Sequence, residues 1–209
     1  MDICVVWQDI RDTPADLVAL KVIDVNPDRP GRFVGASLAV VKTLLGAGVC
    51  EQAAVQMALE RQGYCTIDTG NTMAAGQVRF SLTGPPPFRY ASVFRFARRI
   101  TSAVEPGHHH LATTLHGPGL GLSVKAVFAV QIDGLLSGLS AVPVERVTIV
   151  ESDFDRARKM RGWLLERFAE APRIEDGVRL TGLARGVRHF REWAGDIRLD
   201  SADARFFSV

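Results

Sequence analysis

Residues 111–150 have the clearest structural pattern in the chain and read LATTLHGPGLGLSVKAVFAVQIDGLLSGLSAVPVERVTIV. An apolar run, LATTLH, is followed by the glycine-rich run GPGLG, an apolar helical stretch and a second apolar run, VTIV. This order predicts a strand, a tight loop, a helix and another strand. Such a loop presents backbone N–H groups and the positive end of the helix, which favour an anion such as phosphate. An ordinary strand-to-helix turn with small residues for packing is the alternative that the spacing leaves open.

The length and composition are those of a globular protein with one compact domain, or one domain and a tail. The chain has 209 residues, 47% hydrophobic and 23% charged, with a formal net charge of +2. This small charge does not favour nucleic acid as the main partner. Cys4, Cys50 and Cys65 lie far apart, without the spacing of a zinc site or a disulfide framework. No apolar run reaches the roughly 18 residues that span a bilayer, and the first residues lack a signal-peptide pattern, so we expect a cytoplasmic protein without membrane contact.

The remaining sequence alternates between strand and helix patterns. Strands are predicted for DICVVW, LVALKVIDV, YCTIDTG, QVRFSL, HHHLATTLH and RVTIVES, and helices for residues 34–45, 51–62, 91–103, 123–139 and 153–171. The alternation predicts an α/β domain whose mostly parallel sheet is covered by helices on both faces, with ligands beyond the carboxyl ends of the strands. Residues 171–209 are expected to form an appendage that packs on the domain or on a partner.

The order of these elements resembles the macrodomain family, including the macro-like N-terminal domains of leucine aminopeptidases. Such domains open with a strand ending in Gly-Asp-Ile-Thr and continue with a second strand of the form aspartate, alanine, aliphatic. Here QDIRDTPADLVAL is similar: Asp9 and Ile10 match, whereas Gln8 and Arg11 depart. LATTLHGPGLGLSVKAVFAVQIDGL resembles the second phosphate loop of the family, and RVTIVESDFDRARKMRGWL resembles its closing strand and last helix. The chain is also similar to macro-like modules that accompany caspase-like (CHAT-type) peptidases in bacterial conflict systems.

This resemblance implies a three-layer α/β/α domain over residues 1–170, with a mixed, mostly parallel sheet and a nucleotide or ADP-ribose-like ligand. It implies that Asp9 accepts a hydrogen bond from an adenine amino group and that the Ile10 amide shares this recognition. A cap of the following turn is the alternative role for Asp9. The ligand-binding residues that we expect are Asp9, Ile10, Asn26, Thr114, His116, Gly117, Pro118, Gly119, Leu120, Gly121 and Phe154.

The segment after the second strand departs from the resemblance. ADP-ribose-processing macrodomains carry Asn-Ala-Ala-Asn followed by glycines there, whereas this chain has KVIDVNPDRPGRFVG, in which only Asn26 and Gly31 or Gly35 correspond. Hydrolysis of ADP-ribose bonds is therefore not favoured, and the leading hypothesis is a ligand-binding sensor or regulatory module. One alternative is a hydrolase or transferase that acts on a phosphate-containing nucleotide derivative, with His116 as acid or base. Another is a scaffold with a degenerate cleft that binds a protein such as a caspase-like peptidase.

Two further patterns limit the partners. His108, His109 and His110 are consecutive, so a strand would point them to alternating faces, and we expect no metal site and no cofactor. The arginines of FRYASVFRFARR are expected on the solvated side of a helix or at a protein partner, and nucleic acid is not favoured. Association into a homo-oligomer stays open.

Overall fold

The computed structural model describes residues 2–23, 32–84, 87–102, 104–118, 121–139, 144–169 and 206–208. The strands are β1 (Asp2–Trp7), β2 (Ala15–Val22), β3 (Tyr64–Asp68), β4 (Ala75–Leu82), β5 (His110–Thr114), β6 (Arg146–Glu151) and β7 (Phe206–Ser208). The helices are α1 (Ala36–Gly46), α2 (Gln52–Gln62), α3 (Tyr90–Thr101), α4 (Val124–Leu139) and α5 (Phe154–Ala169), and a 3-10 turn, Ile10–Asp12, joins β1 to β2. Within the described residues up to 169, the predicted strands and helices are confirmed, with small differences at their ends. Among the described helices, none has the length and apolar character needed to cross a bilayer.

The strands form one sheet in the order β3-β4-β2-β5-β6-β1-β7. β4, β2, β5, β6 and β1 run parallel to one another, and β3 and β7 pair antiparallel at the two edges. The prediction of a mixed, mostly parallel sheet is therefore confirmed. The backbone of Phe206–Ser208 pairs with β1. Because residues 170–205 lie outside the described residues, the wider appendage stays a prediction.

Alternate side chains of the central strands supply two separate cores. On β2, Leu17 and Ala19 pack on one side with residues of α3, α4 and α5, whereas Val18 and Leu20 pack on the other side with residues of α1 and α2. The strands are nearly continuous apolar runs because both of their faces are buried. This arrangement is a three-layer α/β/α fold.

A glycine sets the close approach of α3 and α4. A Cβ atom on Gly134 would lie 2.5 Å from the carbonyl oxygen of Phe94 and 2.7 Å from the Cβ of Ala97. Only glycine allows the two helix backbones to come this near. The contact fixes α4, whose first turn follows the loop after β5.

Parallel strands end on the same edge of the sheet, which brings four loops together. The carboxyl ends of β1, β2, β5 and β6 lead into residues 8–10, 23, 115–118 and 152. Ligand clefts of open α/β sheets form at this edge.

Candidate functional site

A cleft of about 800 Å³ opens at the carboxyl edge of the sheet. Its lining comes from residues 8–10 after β1, the end of β2, residues 34–37 at the start of α1, residues 114–115 after β5 and residues 150–152 after β6. This volume lies within the roughly 300–1,000 Å³ range of small-molecule sites.

Asp9 lies on the cleft and also caps the 3-10 turn. Its Oδ1 accepts hydrogen bonds from the backbone N–H of Arg11 at 2.9 Å and from the Arg11 Nε at 3.0 Å, and its Oδ2 accepts from the Arg11 Nη2 at 2.6 Å. These bonds to Arg11 hold the pKa of the Asp9 carboxyl below its usual value. The capping role is therefore present, and a base amino group in the cleft would share the carboxylate with Arg11.

A second carboxylate–arginine ion pair, between Glu151 and Arg156, connects the end of β6 to the start of α5. Glu151, only 7% exposed, accepts hydrogen bonds from Nε and Nη2 of Arg156 at 2.6 and 2.8 Å and from the backbone N–H of Asp153 at 3.0 Å. The two-pronged contact raises the pKa of the Arg156 guanidinium. Both side chains of the pair line the cleft.

The cleft lining has more positively charged than negatively charged side chains. The charged lining residues are Asp9, Lys21, Arg32, Glu151 and Arg156. Both carboxylates pair with arginine, Asp9 with Arg11 and Glu151 with Arg156, whereas no carboxylate of the described residues forms an ion pair with Lys21 or Arg32. Burial lowers the pKa of the Lys21 ammonium. The cleft therefore presents net positive charge, which favours an anionic ligand.

The first turn of α1 adds backbone donors to this charge. Gly35 precedes the helix with φ 54° and ψ −126°, a conformation that favours glycine, and its position has no side chain to cap the helix. The Ser37 hydroxyl instead donates to the carbonyl of Val34 at 2.9 Å and accepts from the Val34 N–H at 3.1 Å. Because first-turn N–H groups have no partner within a helix, this end attracts anions.

The structure brings some of the sequence-predicted residues to the cleft. Asp9, Ile10 and Thr114 line it. Asn26, Gly119 and Leu120 lie outside the described residues.

Other predicted residues are described but lie off the cleft lining. They are Gly117, Pro118, Gly121, His116 and Phe154. Gly117 has φ 118°, and a Cβ there would lie 3.1 Å from the Cγ2 of Val127. Gly117 thus serves the close packing of its loop on α4, the alternative that the glycine spacing left open.

Phe154 begins α5 just beyond the lining residues of β6. The residue is 42% exposed, and its ring meets that of Trp7 edge to face, with 5.0 Å between ring centroids. The ring therefore offers an accessible aromatic surface beside the cleft.

His116 lies behind the cleft wall and is fully buried. The Thr113 hydroxyl donates to the carbonyl of Ala19 at 2.8 Å, so its oxygen accepts from the Nε2–H of His116, 3.2 Å away. The ring also packs edge to face on Phe96 at 4.3 Å. Burial, and then the charge of Lys21, hold the pKa of His116 well below 6.5. The ligand contact expected for His116, and its alternative role as acid or base, do not fit this position, because the residue has no exposed surface.

Gln131 holds the loop after β5 to α4 and was not anticipated. Its Oε1 accepts from the backbone N–H of His116 at 3.0 Å, and its Nε2 donates to the carbonyl of Thr114 at 2.9 Å. The available signal was a lone amide in the apolar helix sequence FAVQIDGLL. Lys21 was also not anticipated as a lining residue of the cleft. Its signal was a single lysine inside the apolar run LVALKVIDV.

In the described part of the chain, no three or more histidine, cysteine, aspartate or glutamate side chains lie together where they could hold a metal ion. The expectation of no metal site stays a prediction.

Comparison with solved structures identifies the fold. No protein-family model matches the chain, and no curated protein matches it. It is similar to a Trypanosoma brucei macrodomain in complex with ADP, at 12% identity and a TM-score of 0.57, over 78% of this chain and 69% of that one. It is also similar to an Oceanobacillus iheyensis macrodomain mutant with ADPR, at 13% identity and a TM-score of 0.58, over 79% and 93%. The Oceanobacillus iheyensis macrodomain with ADP gives 11% identity and a TM-score of 0.58, over 80% and 92%. The chain therefore has the fold of the macrodomain family.

Proposed function

We propose that the cleft binds an ADP-ribose-like nucleotide and that the chain acts as a sensor or regulatory module. The observation that carries this proposal is the positive charge of the cleft, where both lining carboxylates pair with arginine. A diphosphate is the anionic part that such ligands share. The similar structures named with ADP or ADPR add support from proteins of the same fold.

The arrangement suggests an orientation for the ligand. The base would lie near Asp9 and Ile10, with its flat face against the exposed ring of Phe154. The phosphates would lie at the first turn of α1, where backbone donors and the helix dipole favour negative charge.

A binding role explains the described residues better than turnover does. The hydrogen bonds from Arg11 hold the pKa of the Asp9 carboxyl below its usual value and weaken it as a proton acceptor, and the Glu151 carboxylate is already engaged by two hydrogen bonds from Arg156. His116 has no exposed surface from which to exchange a proton with a ligand. The proposal also includes a cytoplasmic setting, which follows from the sequence pattern, and a caspase-like peptidase partner in a bacterial conflict system, which follows from the resemblance.

A thermal-shift and calorimetric panel tests the binding proposal. The ligands are adenosine, AMP, ADP, ADP-ribose and NAD, and the proteins are the wild type, Asp9→Ala and Phe154→Ala. Binding at 100 times Kd stabilises the folded state by about 2.7 kcal/mol, a shift that is readily measured. We expect the two variants to weaken binding of adenine ligands at least about tenfold, which corresponds to about 1.4 kcal/mol.

Matched controls separate the cleft from general effects. Asp12→Ala removes an exposed carboxylate of the same turn, and Tyr64→Ala removes an exposed aromatic side chain on β3. Neither residue lines the cleft. A panel in which no nucleotide binds, or in which the controls lose as much affinity as Asp9→Ala and Phe154→Ala, contradicts the proposal.

A further inference from the structure

Lys21 is a lysine in an apolar strand that lines the cleft. It lies near the end of β2, opposite Ser81 of β4 in the sheet register. Because side chains alternate along a strand, Lys21 shares the face of Leu17 and Ala19, which is covered by α3 and α4. Lys21 lines the cleft where this face reaches the sheet edge.

The surroundings of Lys21 do not compensate its charge. The side chain is largely removed from solvent, and this burial disfavours the charged form, as the lowered pKa shows. Its charge also helps to lower the pKa of His116, so a second cation is disfavoured beside it. No carboxylate of the described residues forms an ion pair with Lys21. An anion bound beside Lys21 would compensate the unfavourable free energy of burying its charged ammonium group.

The position of Lys21 also restricts which anion it meets. β2 is separated from β1 by β5 and β6, so three strand spacings, about 14 Å, lie between the loop of Asp9 and the end of β2. A ligand whose base lies at Asp9 therefore reaches Lys21 with its distal part. A single phosphate on the nucleoside is close to the base, whereas a second phosphate extends toward β2.

We infer that Lys21 pairs with the distal phosphate of the bound ligand and makes the cleft selective for nucleoside diphosphates and longer phosphate chains over nucleoside monophosphates. This inference rests on the proposed nucleotide function. In this inference, the backbone donors of α1 bind phosphate in general, and the Lys21 side chain distinguishes ligands by their number of phosphates.

The first test compares ligands by calorimetry on the wild type, Lys21→Met, Lys21→Arg and Lys42→Met. Lys42 is an exposed lysine of α1 outside the cleft lining, so its replacement removes the same charge elsewhere. A charge-assisted hydrogen bond predicts that Lys21→Met weakens ADP binding about tenfold or more. We expect less than about a twofold change for AMP, because it lacks the distal phosphate, and partial recovery with Lys21→Arg. Equal losses for AMP and ADP, or no loss for ADP, overturn the inference.

The second test uses inorganic pyrophosphate as the probe and follows the Lys21 side-chain signal by NMR, assigned through Lys21→Met. The inference predicts that pyrophosphate moves this signal and leaves that of Lys42 in place. A silent Lys21 signal in a protein that binds ADP overturns the inference alone. A Lys21 signal that moves with pyrophosphate, while no adenine nucleotide binds, supports the anion contact and contradicts the nucleotide function.

Discussion

Replacing His116 by glutamine should reduce the loss of stability that the protein undergoes in mild acid. The imidazole is fully buried, donates its Nε2–H to Thr113 and packs against Phe96, and its pKa lies well below 6.5 because of burial and the charge of Lys21. The Nδ1 atom has no hydrogen-bond partner among the described residues, so a proton added there would be buried without compensation.

The sign and size follow from proton linkage. In the unfolded chain the pKa of this histidine is about 6.5, so the unfolded state takes up a proton before the folded state does. Stability is therefore fully present above pH 6.5 and falls as the pH drops from there toward the folded-state pKa. The histidine contributes a loss of about 1 kcal/mol between pH 6.5 and 5.5, and of about 1.4 kcal/mol for each further unit until the folded-state pKa is reached.

Urea unfolding at pH 7.5, 6.5, 5.5 and 5.0 gives the free energy of unfolding at each pH. The contribution of His116 is the difference between wild type and His116→Gln in how steeply this free energy changes with pH. His110 also has a pKa lowered mainly by burial, but it is present in both proteins and cancels in the difference. His109→Gln is the control, because His109 is exposed. His116→Gln will lose some stability at every pH, but a constant loss does not change how the free energy of unfolding depends on pH. Parallel curves for wild type and His116→Gln would refute the reasoning.

Three other substitutions test the packing and charge of the structure by urea unfolding. Gly134→Ala should cost about 1–3 kcal/mol, because the new Cβ overlaps α3, whereas Gly162→Ala, with open space around it, should be neutral or stabilising by up to about 1 kcal/mol; equal effects would contradict the packing account. Lys21→Met should raise stability at pH 7 by about 1 kcal/mol, since the folded-state pKa of the lysine lies below 10.5 and its charged form is disfavoured by folding. The wild type should regain this difference as the pH rises toward 10.5, and a constant difference would count against the burial argument. Glu151→Gln should cost about 1–2 kcal/mol, less than a fully buried pair because Arg156 is partly exposed, and a cost near zero would show that the pair does not hold α5.

The fold was readable from local sequence patterns. Runs such as VTIV of β6 and LATT of β5 are mostly buried on both faces, so apolar and β-branched residues dominate them and they are easy to recognise. Their alternation with helices restricts the topology to a mostly parallel sheet, whose carboxyl edge is the expected place for a ligand. Asp9 and Ile10 were expected from the resemblance to the macrodomain family, and they line the cleft together with Thr114.

The parts of the site that sequence reasoning did not find depend on contacts between distant residues. The neighbours of Lys21 come from strands that are distant in the sequence and meet only in the folded sheet. The sequence therefore does not show that Lys21 lacks a carboxylate partner. The position of His116 next to a glycine-rich run favoured a ligand contact, yet its ring is fully buried and Gln131 of α4, 15 residues away, accepts a hydrogen bond from its backbone N–H. The pairing of Glu151 with Arg156 across the turn into α5 likewise follows from the direction of the helix rather than from spacing.

Amide chemical-shift mapping with ADP tests the central claim most directly. The account predicts that saturating ADP moves the amide signals of residues 8–10, 34–37, 114–115 and 150–152, which line the cleft, and that Asp9→Ala raises the ADP concentration needed. The amides of His109 and His110, held by Asp16 at the opposite edge of the sheet, should stay in place. Shifts centred on that opposite edge, or no shifts at all, would contradict the claim that this cleft is a nucleotide site.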